Sequence, residues 1–185
     1  MGFKIIAGDK INMKTIKERM LIERENKNYN IKKHYTPENI VNECLNQLNL
    51  KNNSILDVGA GNNMVWFNKV ICKEKHWVEI EKGKDFFEYN KKVDWCIGNP
   101  PYKDLWKYIS KAMDISNKGI SFLVSVDFWN RLTQKRLNEM KKKGWIISKI
   151  YVLEVKCWFG RYFFITFTKG DNNFLKWRQK LKEIN

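Results

Sequence analysis

Apolar positions follow no clear period over residues 1–33, then switch between helical and strand spacing for the rest of the chain. The first 33 residues are polar and basic, with a weakly helical patch at MKTIKERMLIERENKNY and no core face. Such a segment reads as an arm that orders on a partner or as a surface helix. Organisation begins at HYTPENIVNECLNQLNL, where Ile40, Val41, Cys44, Leu45 and Leu48 share one helical face. Thr36 stands where it can cap that helix, and Pro37 suits its first turn. Beyond it, SILDV, HWVEI, VDWCIG and ISFLVSV read as strands, and NNMVWFNKVICKE, LWKYISKAMDIS and RLTQKRLNEMKKK as helices. In LWKYISKAMDIS the residues Leu105, Tyr108, Ile109 and Met113 lie on one side.

Two further strands, GWIISKIYVLE and RYFFITFTK, are separated by only about eight residues, VKCWFGRY. That is too short for a crossover helix, so the two should pair antiparallel. Strands alternating with helices predict an α/β fold: a mostly parallel sheet with helices on both faces and a C-terminal antiparallel strand pair. The expected organisation is a basic arm or helix over 1–33, one domain over 34–168 and a basic helix, NNFLKWRQKLKEI, within 169–185. A chain of 185 residues is long enough for one full core and short for two.

Composition changes this picture mainly through charge. Apolar residues at 43% and aromatics at 14% are globular values, whereas a net charge of +15 points to a polyanionic partner, nucleic acid first. Aromatics interleave with cations in KCWFGRYFF and FLKWRQK, a pattern that suits stacking on bases and equally suits core. No apolar run approaches the roughly 20 residues that span a bilayer, so no membrane partner is expected and the location read from the sequence is cytoplasmic. Cys44, Cys72, Cys96 and Cys157 lie far apart, with no C-x-x-C pair and no matching histidine spacing, which argues against a zinc site or a disulfide framework and favours reduced, mostly buried thiols.

Three short stretches carry chemistry. In ILDVGAGNN an apolar strand ends at Asp57 and runs into Gly59 and Gly61, a tight turn whose backbone can approach a ligand closely. Met64 replaces the third glycine of the dinucleotide fingerprint, so the turn better suits a nucleoside carrying an amino-acid tail than a pyrophosphate. In WVEIE, Glu79 lies about twenty residues after the glycine turn, where an acid can take both ribose hydroxyls, with Glu81 as the alternative. In VDWCIGNPPY the strand stops at a proline-stiffened corner. There the Asn99 amide oxygen and the Pro100 carbonyl face the carboxyl edge of the sheet, Pro101 stiffens the loop, and Tyr102 offers a ring. Two acceptors gripping one planar NH2 group favour a tetrahedral nitrogen, whose lone pair can then attack.

Taken together, Asp57-x-Gly59-x-Gly61, Glu79 and Asn99-Pro100-Pro101-Tyr102 resemble the core motifs of S-adenosylmethionine-dependent amino-methyltransferases, in particular N6-adenine DNA methyltransferases. The resemblance covers about residues 34–168 and implies a Rossmann-like methyltransferase domain that uses S-adenosylmethionine. It implies that His34, Tyr35, Thr36 and Pro37 lie by the methionine part of the cofactor, with Asp57, Gly59 and Gly61 bordering it. It further implies Glu79 on the ribose, Asp85 and Phe86 at the cofactor's adenine, and Asn99, Pro100, Pro101 and Tyr102 around the target base, with Asn99 also beside the cofactor. A late-hairpin aromatic, Trp158, Phe159 or Phe163, would sandwich that base.

Only three residues, KGK, separate Glu81 from Asp85, so the helix and strand that usually intervene are missing or shrunken. With about 17 residues after the last strand there is also no separate target-recognition region within these residues, leaving selectivity to the arm, to loops or to a partner subunit. The expected reaction is methylation of adenine N6 in DNA. RNA adenine and a protein glutamine amide present the same planar NH2 and stand as alternatives, as does a catalytically silent binding subunit.

Overall fold

The structure, a computed structural model, describes residues 35–154, 158 and 160–171. The expected basic arm over 1–33 lies outside the described residues, as do His34, Cys157, Phe159 and the expected terminal helix from residue 172 onward.

The chain enters through helix α1 (Glu38–Leu45) and strand β1 (Ser54–Val58), then a short helix α2 (Val65–Lys69) and strand β2 (Glu74–Val78). Strand β3 (Val93–Gly98), helix α3 (Leu105–Ile115) and strand β4 (Ser116–Ser125) follow. Helices α4 (Asp127–Arg131) and α5 (Gln134–Lys142) lead into strands β5 (Trp145–Glu154) and β6 (Arg161–Lys169). The six strands form one sheet in the order β2-β1-β3-β4-β6-β5. β1, β2, β3 and β4 run parallel, and β6 lies antiparallel between β4 and β5. The fold is therefore the mixed α/β sheet that the alternating pattern predicts.

Strand side chains alternate between faces, which divides the core in two. On one face Leu56, Cys96, Ile120 and Phe122 pack under Leu105, Ile109 and Met113 of α3 and Leu137 and Met140 of α5. On the other, Ile55, Ile97, Leu123 and Phe164 pack under Ile40, Val41 and Cys44 of α1 and Trp66 of α2. Cys44 and Cys96 are buried thiols and Cys72 is half-buried. Among the described residues no helix is long and apolar enough to cross a membrane.

Three expectations need correction. Thr36 does not cap α1, because Pro37 holds the N-cap position and no side chain caps it; Thr36 is instead drawn into the interior. The helix read across NNMVWFNKVICKE shrinks to five residues. Met64 enters it in the left-handed region (φ 49°), and Val70 leaves it extended so that its side chain can join the core. Finally, RLTQKRLNEMKKK is helical only from Gln134, where Thr133 caps α5 by accepting from the Arg136 N–H; Arg131 ends a separate helix.

Between β2 and β3 the chain makes only two 3-10 turns, Ile80–Lys82 and Phe86–Glu88, and no strand. The KGK spacing predicts this contraction, and its consequence is that β2 becomes the sheet edge.

Candidate active site

The chain leaves β1 toward β2 on one side and returns as β3 on the other. In an open α/β sheet this reversal opens a crevice at the carboxyl ends of the two diverging strands. Those ends are the glycine turn after β1 and the Asn99 corner after β3. They touch: a Cβ added to Gly59 would lie 3.4 Å from the Asn99 carbonyl oxygen and 3.5 Å from the Pro100 Cα. Gly59 also has φ +76°, a conformation that L side chains rarely adopt, so two constraints keep this position bare.

Hydrogen bonds hold the turn itself. The N–H groups of Gly59 and Ala60 both donate to the Val78 carbonyl at 3.1 Å. Glu79, at the end of β2, accepts from Gly61 N–H through Oε2 at 2.7 Å and from Glu81 N–H through Oε1 at 3.3 Å. The ring of Tyr35 covers Gly61, since a Cβ there would meet it at 2.8 Å. Glu79 is thus in place at the turn, whereas Glu81 contributes backbone to holding it.

Asp57 faces inward. It is fully buried, and its Oδ2 accepts from the Phe67 N–H at 3.0 Å, tying the strand to α2, while Oδ1 has no partner. Burial pushes its carboxyl up to about 8, the nearby Glu79 charge adds to the rise, and the Phe67 hydrogen bond opposes it.

The Asn99 corner is built differently. Asn99 Nδ2 donates to Thr36 Oγ1 at 3.2 Å, and the same oxygen accepts from Trp66 Nε1 at 3.3 Å. Because Thr36 accepts from the amide nitrogen, the amide is held in one orientation. The buried Asn99 Oδ1 meets no hydrogen-bond partner among the described residues. Among the described residues no donor reaches the Pro100 carbonyl either. Pro100 is buried and Pro101 exposed at the outside of the bend. Arg131 braces the loop that follows: its Nη1 donates to the carbonyls of Tyr102 at 2.9 Å and Lys103 at 3.0 Å. Burial raises the Tyr102 phenol well above its ordinary value; Tyr162 nearby adds to this and the Asn99 amide opposes it.

Of the expected late-hairpin aromatics, Trp158 lies on one face of the sheet and Phe163 on the other, while Phe159 is outside the described residues. Trp158 packs against Tyr162, ring centroids 4.7 Å apart, on the sheet face that also carries Trp66 and Phe164. Phe163 points to the other face, edge-on to Trp129 at 5.5 Å. Asp85 caps a 3-10 turn by accepting from Phe87 N–H at 2.9 Å, and Phe86 is buried in a parallel stack on Tyr108.

Four residues of this constellation carry no local signal in the sequence. Trp66, Arg131 and Tyr162 act across long sequence separations, and Ile80 looks like an ordinary strand residue until the structure leaves its side chain 65% exposed beside Glu79. A groove of about 430 Å³ lined by Lys75, Trp77, Lys84, Asp85 and Tyr89 runs along the free edge of β2. It lies to the side of the strand reversal, away from the unengaged acceptors of the Asn99 corner.

No family model and no curated protein sequence matches the chain. Solved structures match in shape. A Pyrococcus horikoshii protein named for a proposed RNA methyltransferase activity superposes with TM-score 0.59 at 20% identity, covering 86% of this chain and 99% of that one. The 23S rRNA methyltransferase ErmE gives 0.55 at 12% identity over 76% of this chain and 71% of its own. The M. jannaschii protein TYW2 in complex with AdoMet gives 0.51 at 16% identity, over 75% and 78%. The chain thus shares the Rossmann-like fold of these structures. In such a fold the strand reversal next to β1 is where Gly59 and Asn99 meet, so the site found from the chain's own geometry sits where ligands of open α/β sheets bind.

Proposed function

We propose that this protein transfers a methyl group from S-adenosylmethionine to the exocyclic N6 amine of adenine in DNA. The observation that carries the reading is the pair of unengaged acceptors, Asn99 Oδ1 and the Pro100 carbonyl, at the proline corner. A buried acceptor without a donor costs about 1–3 kcal/mol. A planar NH2 group has the two hydrogens that would relieve both. Held through both, its nitrogen turns pyramidal and its lone pair leaves conjugation with the ring, an effect that grows toward the transition state. Thr36 keeps Asn99 Oδ1, rather than the amide nitrogen, available for this. No side chain is needed as base, since the amine can lose its proton after transfer. Tyr102, Trp158 and Tyr162 supply ring faces for a base taken out of the duplex, offsetting an unstacking cost of a few kcal/mol.

When bound, S-adenosylmethionine supplies a methyl group activated by its sulfonium. The chain's own residues fit that cofactor. Each Glu79 oxygen accepts one N–H, which leaves a lone pair on each for the ribose hydroxyls. The bare Gly59 and Gly61 let backbone approach the cofactor, and exposed Ile80 gives an apolar surface beside Glu79. Asp85 and Phe86 are assigned to the adenine end and Tyr35, Thr36 and Pro37 to the methionine end, while Asp57, fully buried, stands behind the turn that borders the cofactor.

RNA adenine is the second reading. It is favoured by the names of the P. horikoshii protein and of ErmE, which share this fold. The net charge of +15 supports either nucleic acid over a protein glutamine amide. A silent binding subunit has no use for two acceptors held open. The test is transfer of tritiated methyl from S-adenosylmethionine to DNA, RNA and protein extract, followed by digestion to nucleosides. N6-methyladenine from DNA is expected. Label confined to RNA selects the second reading, label in a protein amide overturns the substrate class, and no label with no cofactor binding returns the silent subunit.

A further inference from the structure

Arg131 ends α4 beside the Asn99 corner, and its guanidinium is only half used. Nη1 gives its hydrogens to the Tyr102 and Lys103 carbonyls. The opposite edge, made by Nε and Nη2, meets no acceptor among the described residues and keeps the parallel pair of N–H bonds that matches a phosphate. The backbone at Arg131 is held from behind. Arg136 donates to the Arg131 carbonyl and lies over the Trp106 ring at 5.1 Å, and Trp106 in turn donates to Glu139 at 3.1 Å. The surroundings carry both charges. Asp104 sits among Lys107, Lys103 and Arg131, which together hold it below the usual carboxylate range, and Lys107 at 2.9 Å pairs with it directly; Glu139 accepts from Trp106, and Asp127 lies one turn before Arg131 on α4.

We propose that Arg131, with Lys103 beside it, is a phosphate-binding site for the nucleic-acid strand that carries the target base. The inference rests on the nucleic-acid substrate proposed above and adds the residue that positions the strand. Arg131 joins two tasks in one planar group: its inner nitrogen fixes the loop carrying Tyr102, and its outer edge takes a backbone phosphate near the flipped nucleotide. Phosphate binding thereby orders the same loop that forms the base pocket. A lysine can keep the charge at this position but offers no second edge.

The test uses the full chain and fluorescein-labelled duplex DNA, with binding followed by anisotropy over a series of salt concentrations and without cofactor. Arg131→Gln is expected to weaken binding about tenfold at 0.1 M salt and to lower the slope of log K against log salt by about one. Lys103→Gln, whose side chain makes no hydrogen bond or ion pair among the described residues, should lower the slope similarly. Lys51→Gln, at the opposite edge of the sheet, should leave it unchanged. Arg131→Lys should recover the slope while kcat stays low, because the brace on Tyr102 is lost. An unchanged slope in both Arg131→Gln and Lys103→Gln overturns the phosphate site. Should Arg131→Gln fail to fold, as judged by thermal melting, the Lys103→Gln slope decides alone. If the wild-type chain binds neither DNA nor RNA, it is the nucleic-acid substrate itself that falls.

Discussion

The carboxyl ends of β1 and β3 lie side by side, and each presents a buried side-chain oxygen with no hydrogen-bond partner among the described residues: Oδ1 of Asp57 and Oδ1 of Asn99. In both, the other head atom is engaged, by the Phe67 N–H in one case and by Thr36 in the other. The two differ in what they can become. A buried carboxylate relieves its cost by taking a proton, and Asp57 is shifted toward doing so. An amide cannot titrate, so Asn99 keeps its acceptor at every pH, and the strain is relieved only by a donor that arrives from outside. Two residues in matching places thus serve opposite ends: Asp57 ties the strand to its helix, and in the function proposed above Asn99 keeps its acceptor for a ligand's donor.

The sharpest way to break this comparison is to remove the waiting oxygen. Asn99→Ala should lower methyl transfer at least about a hundredfold, the scale of a lost transition-state contact of roughly 3 kcal/mol, with cofactor affinity changed far less. A single-turnover assay beside a cofactor titration separates the two, and comparable losses in both would return Asn99 to a structural role. Next comes the orientation of the amide. Thr36→Val removes the oxygen shared by Asn99 and Trp66. It should cost about tenfold in kcat, on the scale of about 1.4 kcal/mol per factor of ten, while Thr36→Ser keeps most of the rate. Equal losses in the two variants would separate Thr36 from the amide's orientation.

The contact between the strand ends is probed by Gly59→Ala, which places a Cβ in a left-handed backbone against Asn99 and Pro100. A destabilisation of about 1–2 kcal/mol in urea melts is expected from the backbone alone. The last concerns Asp57 and varies with pH. Its folded pKa is raised above the unfolded value of about 3.9, so its stabilising contribution is complete below about pH 4 and is lost as the pH rises through about 8. Asp57→Asn should flatten the decline in stability between pH 5 and 8, by at most about 1.4 kcal/mol per pH unit, in melts taken across that range. Parallel pH profiles for wild type and variant would mean that Asp57 is charged in the fold.

The regular layers were legible because period and burial agree locally. Val93–Gly98 and Leu105–Ile115 occupy the segments their patterns predict, and the antiparallel pairing of β5 with β6 follows from a connection too short to cross over. The contraction between Glu81 and Asp85 could likewise be counted in residues. Where the reading failed, a distant partner had overridden a local preference. Thr36 has the chemistry of a helix cap, yet Trp66 and Asn99 offer it two donors inside the fold. The NNMVWFNKVICKE pattern is helical, but the turn that shapes the site consumes its start and the core takes Val70 from its end.

By itself, then, the sequence determined the order of strands and helices, the glycine turn, the acid after it and the proline corner, because each depends on residues close together in the chain. Only the tertiary structure decided which of those groups are engaged and which remain open. That Asp57 is sealed, that Trp158 and Tyr162 share the site's face while Phe163 does not, and that Arg131 braces Tyr102 all follow from sheet order and facing direction. Hydrogen bonding between groups far apart in sequence leaves no periodic trace, so it becomes visible only when the chain has closed.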